Sequence, residues 1–239
     1  MRRISLAIGI VCFFSGLSLP LFPQEHVPET LRGEVRIELE PMYGGYVDEH
    51  YPLDTDTASR RALEEAVMFY SAMIYGWSFH YDIGEKARGI AEEFELEPLG
   101  IIPWGDPGLR ATDVELKNEQ VQLWTEYRLT EAQKRRLSMW RTGKVRSTQA
   151  VGFGPLGFPG TGDQGQKSDW LSVRKKSLED AARASMRALL RLSERNRPKE
   201  VNGFISLASF PRYFMDSGQW AASARFKVEI TEIIPFAAY

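Results

Sequence analysis

The 239-residue chain holds one cysteine, Cys12, and three histidines, His26, His50 and His80. A lone thiol cannot close an intramolecular disulfide. Because Cys12 falls inside an apolar run near the start, neither a disulfide framework nor a thiol nucleophile is expected in the body of the protein. No two histidines stand four residues apart as in a helical zinc site, and no Gly-x-Ser-x-Gly elbow is present. Runs of membrane-spanning length are also missing: Ile4 to Phe14 is the longest apolar stretch, where a bilayer needs about 20 residues. Charge of one sign is lacking too, with 30 basic residues against 32 acidic, so no broad field attracts nucleic acid or an anionic membrane.

What stands at the start is Arg2 and Arg3, the short apolar run, and the small residues Gly16 and Ser18, the layout of a cleavable secretory signal. Residues 1–23 are expected to be that signal, and 24–33 a mobile N-terminal segment. Removal of Arg2 and Arg3 with the signal leaves 28 basic residues against 32 acidic, a net charge of −4. The expected location is outside the cytoplasm, periplasmic or envelope-associated. No integral span is expected after the signal is removed. Cys12 lies too early in the run for lipid attachment to be the first expectation.

Two stretches match in class at successive positions: Arg60 to Val67, and Lys175 to Ala182. Val35-Arg36 followed by Gly44 and Gly45 recurs as Val145-Arg146 followed by Gly152 and Gly154. Gly100-Ile101-Ile102 recurs as Gly203-Phe204-Ile205. The shared order predicts an α+β fold of two similar units, 34–143 and 144–239, each a helix packed on an antiparallel sheet, produced by duplication. Leu63, Ala66, Val67, Tyr70, Met73, Ile74 and Trp77 mark the apolar face of the first helix, and Leu178, Ala181, Ala182, Ser185, Leu189 and Leu192 that of the second. Period-two patterns predict strands at Val35–Leu39, Phe79–Ile83, Val121–Leu129 and Phe226–Ile230. Thr130 to Gln133 reads as a capping box opening a short helix that runs through Trp140.

Candidate chemistry is sparse. Gly152 to Gln166 carries six glycines and two prolines, but Gln166 intrudes before Lys167 and Ser168, so the stretch does not make a phosphate loop and implies no nucleotide cofactor. His80 and Asp82 share the polar face of a strand and can meet each other or a ligand, although such a pair is more often simply the solvated face of an amphipathic strand. Arg183, Arg187 and Arg191 form a stripe that suits an anionic polymer, or ion pairs on a wet face with partners such as Glu179. Asp48, Glu49, Asp54, Asp56, Asp106 and Asp113 lie in loop-like positions and keep a two-carboxylate hydrolase acting on carbohydrate or peptide in view. No metal ligand set is expected. Aromatic residues beside arginine are the candidate binding residues: Trp104 in a proline–glycine turn, and Phe210, Arg212, Tyr213 and Phe214 at the corresponding place in the second unit.

Gly152-Phe153-Gly154, the alanine-rich helix through Ala181, Ala182, Ala184 and Ala188, Gly203-Phe204-Ile205 and the closing strand from Trp220 to Ile230 together resemble the N-terminal domain of flagellar assembly protein T and related small envelope lipoproteins. The resemblance covers residues 145–232, with an echo over 34–131. It implies a non-catalytic periplasmic module without cofactors that helps to build an envelope assembly, with an envelope protein or cell-wall polymer as partner.

Overall fold

The computed structural model describes residues 27–40, 51–85, 89–155, 170–193 and 198–235. The order of elements is β1 (Thr30–Glu38), α1 (Thr55–Ile74), β2 (Trp77–Asp82), β3 (Glu93–Pro98), β4 (Leu109–Lys117), β5 (Gln120–Arg128), α2 (Glu131–Met139), β6 (Arg146–Phe153), α3 (Trp170–Ser193), β7 (Pro198–Leu207), β8 (Arg212–Asp216) and β9 (Gln219–Pro235). All pairings between these strands are antiparallel, so the fold is mixed α+β. Among the described residues no helix is long and apolar enough to cross a membrane.

Local chemistry accounts for the elements. Asp54 caps α1 by accepting from the Thr57 N–H at 2.8 Å, and Asp56 places a negative charge in the positive first turn. Gly76, in the left-handed region at φ 70°, turns the chain out of α1 into β2. The capping box at α2 is present in both directions between Thr130 and Gln133. Alternation sets the strand faces: Val35 and Ile37 on β1, Phe79 and Tyr81 on β2, Val121, Leu123 and Tyr127 on β5, and Phe226 and Val228 on β9 are buried.

The strands form two sheets, one of order β1-β5-β4 and one of order β3-β2-β7-β9-β6 with β8 also on β9. Both halves open strand, helix, strand, but α1 is followed by four strands and α2 whereas α3 is followed by three strands, and β9 pairs with β7 as well as with β6 and β8, so the expected duplication is not established. Nor do the two halves keep separate sheets. β2 leaves the first half to pair with β7, Phe79 facing Gly203 and Tyr81 facing Val201, and β3 follows it as the edge of the second sheet. The hydrophobic core is accordingly continuous across residue 143, from Leu31 to Val228.

Two of the matched glycines also differ in role. Gly100 to Ile102 form no strand, whereas Gly203 to Ile205 lie in β7, where a Cβ on Gly203 would meet the Glu229 carbonyl at 2.2 Å. Gly152 belongs to a strand rather than a turn. Its missing side chain lets β6 touch the α3 backbone, since a Cβ there would meet the Ala181 nitrogen at 1.9 Å. Gly44 and Gly45 lie outside the described residues. Ala181 and Ala182 of α3 are fully or almost fully buried, as their place on the expected apolar face requires.

Candidate functional site

The buried stripe of α1, which includes Ala58, Ala62, Glu65, Ala66, Phe69, Tyr70 and Ile74, shares Ala66, Tyr70 and Ile74 with the expected face but leaves Leu63, Val67 and Met73 half-buried at its margin, and Trp77 belongs to β2 instead. Small residues in its first half let α1 settle between the sheets, and Phe69 and Tyr70 fill the space in its second half. Val67, from the margin of that stripe, and its neighbour Met68 are half-buried and face α3. There they line, with Leu171 and Leu178 of α3, Leu96 of β3, Trp77 of β2 and Phe226 of β9, a half-open groove with a cavity volume of about 380 Å³.

One wall of the groove is the irregular segment after β3. It is tied to the end of α1 by Ile102 N–H donating to Ser71 Oγ at 2.9 Å and Leu99 N–H donating to the Gly76 carbonyl at 3.0 Å. That tie leaves Ile101, 70% exposed, at the mouth. Polar groups collect at the rim: Lys175 and Glu179 pair one turn apart on α3 at 3.8 Å, and Glu64 pairs with Arg60 at 3.1 Å. The volume and the apolar lining fall in the range of sites for small molecules.

Beside the groove the two helices are joined by a buried ion pair. Arg174 of α3 donates to Glu65 at 2.6 Å, to Glu38 at 2.9 Å and to the Arg36 carbonyl at 3.3 Å. Its guanidinium also lies over the rings of Trp220, Tyr213 and Trp170, at 4.5, 5.1 and 5.8 Å from their centroids. Glu65 is completely buried, and its Oε1 has no hydrogen-bond partner among the described residues. Burial pushes its pKa up to about 7 against the opposing pull of the Arg174 charge and hydrogen bond. Periodicity could not find this pair, because Glu65 sits in a block whose charges look like those of any wet helix face. Its partner is 109 residues away.

The residues expected to bind are distributed differently. Phe210 packs inward, edge-on to Phe69 at 4.9 Å and to Tyr70 at 4.8 Å, and closes over Gly33, so it belongs to the core rather than to a surface. Tyr213 also faces inward, stacking on Phe69 and donating to the Arg174 carbonyl at 3.1 Å. Arg212 is exposed. Phe214 stands on the opposite face of β8 from Tyr213, half-buried, opposite Ala221. Trp104 is 55% exposed in its turn.

Two of the three stripe arginines are taken up in ion pairs, Arg187 gripping Glu92 through two nitrogens and Arg183 pairing with Asp180 instead of Glu179, while Arg191 is exposed. Of the carboxylates expected in loops, Asp56 lies in the first turn of α1 and Asp113 in β4, where it accepts from the Val114 N–H at 2.8 Å, while Asp54 caps α1 and Asp106 accepts from the Gly108 N–H at 2.8 Å. Asp48, Glu49, Lys167 and Ser168 lie outside the described residues, as do residues 1–23 with Cys12.

One protein-family model matches residues 20–236, nearly the whole chain. The chain belongs to that family. A relative described as an uncharacterized protein, from Treponema pallidum (strain Nichols), is 25% identical over 166 residues, covering 70% of this chain and 65% of the relative. The chain thus spans less than two thirds of that relative's length. No solved structure matches the chain.

Proposed function

We propose that the protein is an exported, non-catalytic module of the cell envelope that holds an aliphatic chain in the groove between α1 and α3. The observation that carries the reading is the groove itself: about 380 Å³ lined by Val67, Met68, Leu96, Leu171 and Leu178, with charge confined to the rim. Such a lining rewards an apolar guest, and burial of each methylene contributes about 0.8 kcal/mol. The half-open mouth beside Lys175, Glu64 and Glu179 leaves a head group in water, which suits an amphiphile or a lipid-modified partner. Export is supported by the signal layout of residues 1–23 and the absence of cysteine after Cys12. An assembly role of the kind implied by the resemblance over 145–232 fits a module that binds without transforming its ligand. Asp54, Asp106 and Asp113 accept hydrogen bonds from nearby backbone N–H groups, which favours this reading over a hydrolase.

Displacement of a fluorescent fatty-acid probe tests the proposal. Leu171→Trp fills the groove from a half-buried position on α3 and Met68→Glu places a charge in its lining, and each is expected to weaken probe binding at least tenfold while circular dichroism and melting show a folded protein. Undiminished binding in folded variants of both kinds would remove the groove as the site.

A further inference from the structure

The outer face of the second sheet, on the side away from α3, brings together His80 and Asp82 of β2 with Glu200 and Asn202 of β7. Strand register does this directly, for His80 stands opposite Asn202 and Asp82 opposite Glu200. His80 Nε2 lies 3.6 Å from Asp82 Oδ2, and its Nδ1 lies 3.5 Å from Glu200 Oε1. One ligand atom from each of the three residues falls within 4.8 Å of the other two.

We infer that His80, Asp82 and Glu200 form a binding site for a divalent transition-metal ion of the zinc type. The chemistry is that of one imidazole nitrogen and two carboxylate oxygens, a donor set suited to zinc with the remaining position left to water. Two ligands at about 2.0–2.1 Å from a tetrahedral ion are themselves roughly 3.4 Å apart, close to the 3.6 Å already separating His80 Nε2 and Asp82 Oδ2. Glu200 stands on the Nδ1 side of the ring, where its Oε1 accepts from Asn202 Nδ2 at 2.8 Å, and a change of side-chain torsion would bring a carboxylate oxygen round to the ion as the third donor.

Asn202 supplies the outer support that metal-binding imidazoles need. Its Oδ1 lies 2.8 Å from His80 Nδ1, and its Nδ2 donates to Glu200 at 2.8 Å and to Glu232 at 3.1 Å. With the Nδ1 proton held by Asn202, the lone pair is on Nε2, toward Asp82. The surroundings are electrostatically fitted to a cation. The cross-strand neighbours on this face are Glu95 beside His80 and Glu93 beside Asp82, and Glu232 stands opposite Asn202. Placement on adjacent strands of one sheet, rather than on loops, holds the donors in fixed register.

Calorimetric titration of the chelator-treated full protein with zinc chloride is the test, with cobalt(II) absorption as a report of coordination geometry. One ion per chain is expected, with a tetrahedral cobalt spectrum, and with affinity falling as pH drops and protons compete for His80. His80→Ala and Asp82→Asn should each weaken binding at least tenfold. The second substitution keeps size and shape and decides the matter if the first disturbs folding. Absence of saturable zinc binding, or binding that survives Asp82→Asn, would overturn the proposal. So would equal competition by calcium or magnesium, which would mark a merely acidic surface. The fatty-acid displacement measured at the groove is independent of all of these outcomes.

Discussion

Replacing Arg174 by methionine is expected to cost about 3–5 kcal/mol of folding stability, measured by denaturant titration at pH 8, because it strands a buried carboxylate. Glu65 is fully buried and has Arg174 as its cationic partner at 2.6 Å. Glu38, the other carboxylate on Arg174, is half-buried and can turn to water. A stranded Glu65 escapes part of its cost by taking up a proton, so the defect should be smaller at pH 5 than at pH 8. The double variant Glu65→Leu/Arg174→Met removes both charges, and at least half of the lost stability should return. Equal defects in the single and double variants would show that packing against Trp220 and Tyr213, not charge pairing, is what Arg174 provides.

The wild-type protein carries the matching pH signature. Because the Glu65 pKa is raised by burial from 4.5 to about 7, the native state holds that proton more tightly than the unfolded chain. The stability contributed is therefore complete below about pH 4.5 and is lost as pH rises through 7. Glu65→Gln has no such proton. Its stability difference from wild type is expected to change by about 3 kcal/mol across that window.

Gly152→Ala carries the second large effect. The added methyl would fall 1.9 Å from the Ala181 nitrogen and 2.5 Å from its Cα, both backbone atoms of α3 that no rotamer change can move. The helix must lift off β6, with a loss of roughly 1–3 kcal/mol as for other overpacked sites, and Gly152→Val should prevent folding. Gly143→Ala is the control. A Cβ at Gly143 meets nothing within 4 Å, so a change within about 0.5 kcal/mol is expected. If melting temperatures of the two alanine variants coincide, the close approach of β6 and α3 is not as described.

Features encoded locally were legible in the sequence. The α2 capping box needs four residues, the β5 alternation nine, and the alanines of α3 announce a close helix–sheet contact within a few turns. Partnerships between distant segments were not legible. Nothing in Trp77 to Asp82 says that this strand deserts its own half for β7, since a two-residue period specifies a buried face and not the neighbour that hydrogen-bonds its edge. The same limit hid the site. Phe210 and Tyr213 share the composition of an exposed aromatic patch, and only the placement of Gly33, Phe69 and Arg174 around them makes them interior. The α1 pattern identified an amphipathic helix but set its buried stripe too far round, because Leu63 and Val67 outweighed Ala58, Ala62 and Glu65 in hydropathy. Small residues mark close packing better than large ones, and reading them first would have pointed Val67 and Met68 toward a groove.

The central claim is that an aliphatic chain lies between α1 and α3. Methyl-detected NMR of the protein labelled at Ile, Leu, Val and Met, titrated with a medium-chain fatty acid, tests it most directly. Saturable shifts are expected for Val67, Met68, Leu96, Ile101, Leu171 and Leu178, with Val121 and Leu123 of β5 unmoved. Shifts confined to exposed methyls elsewhere, such as Val114, Leu116 or Val151, or no saturable shift at all, would contradict it.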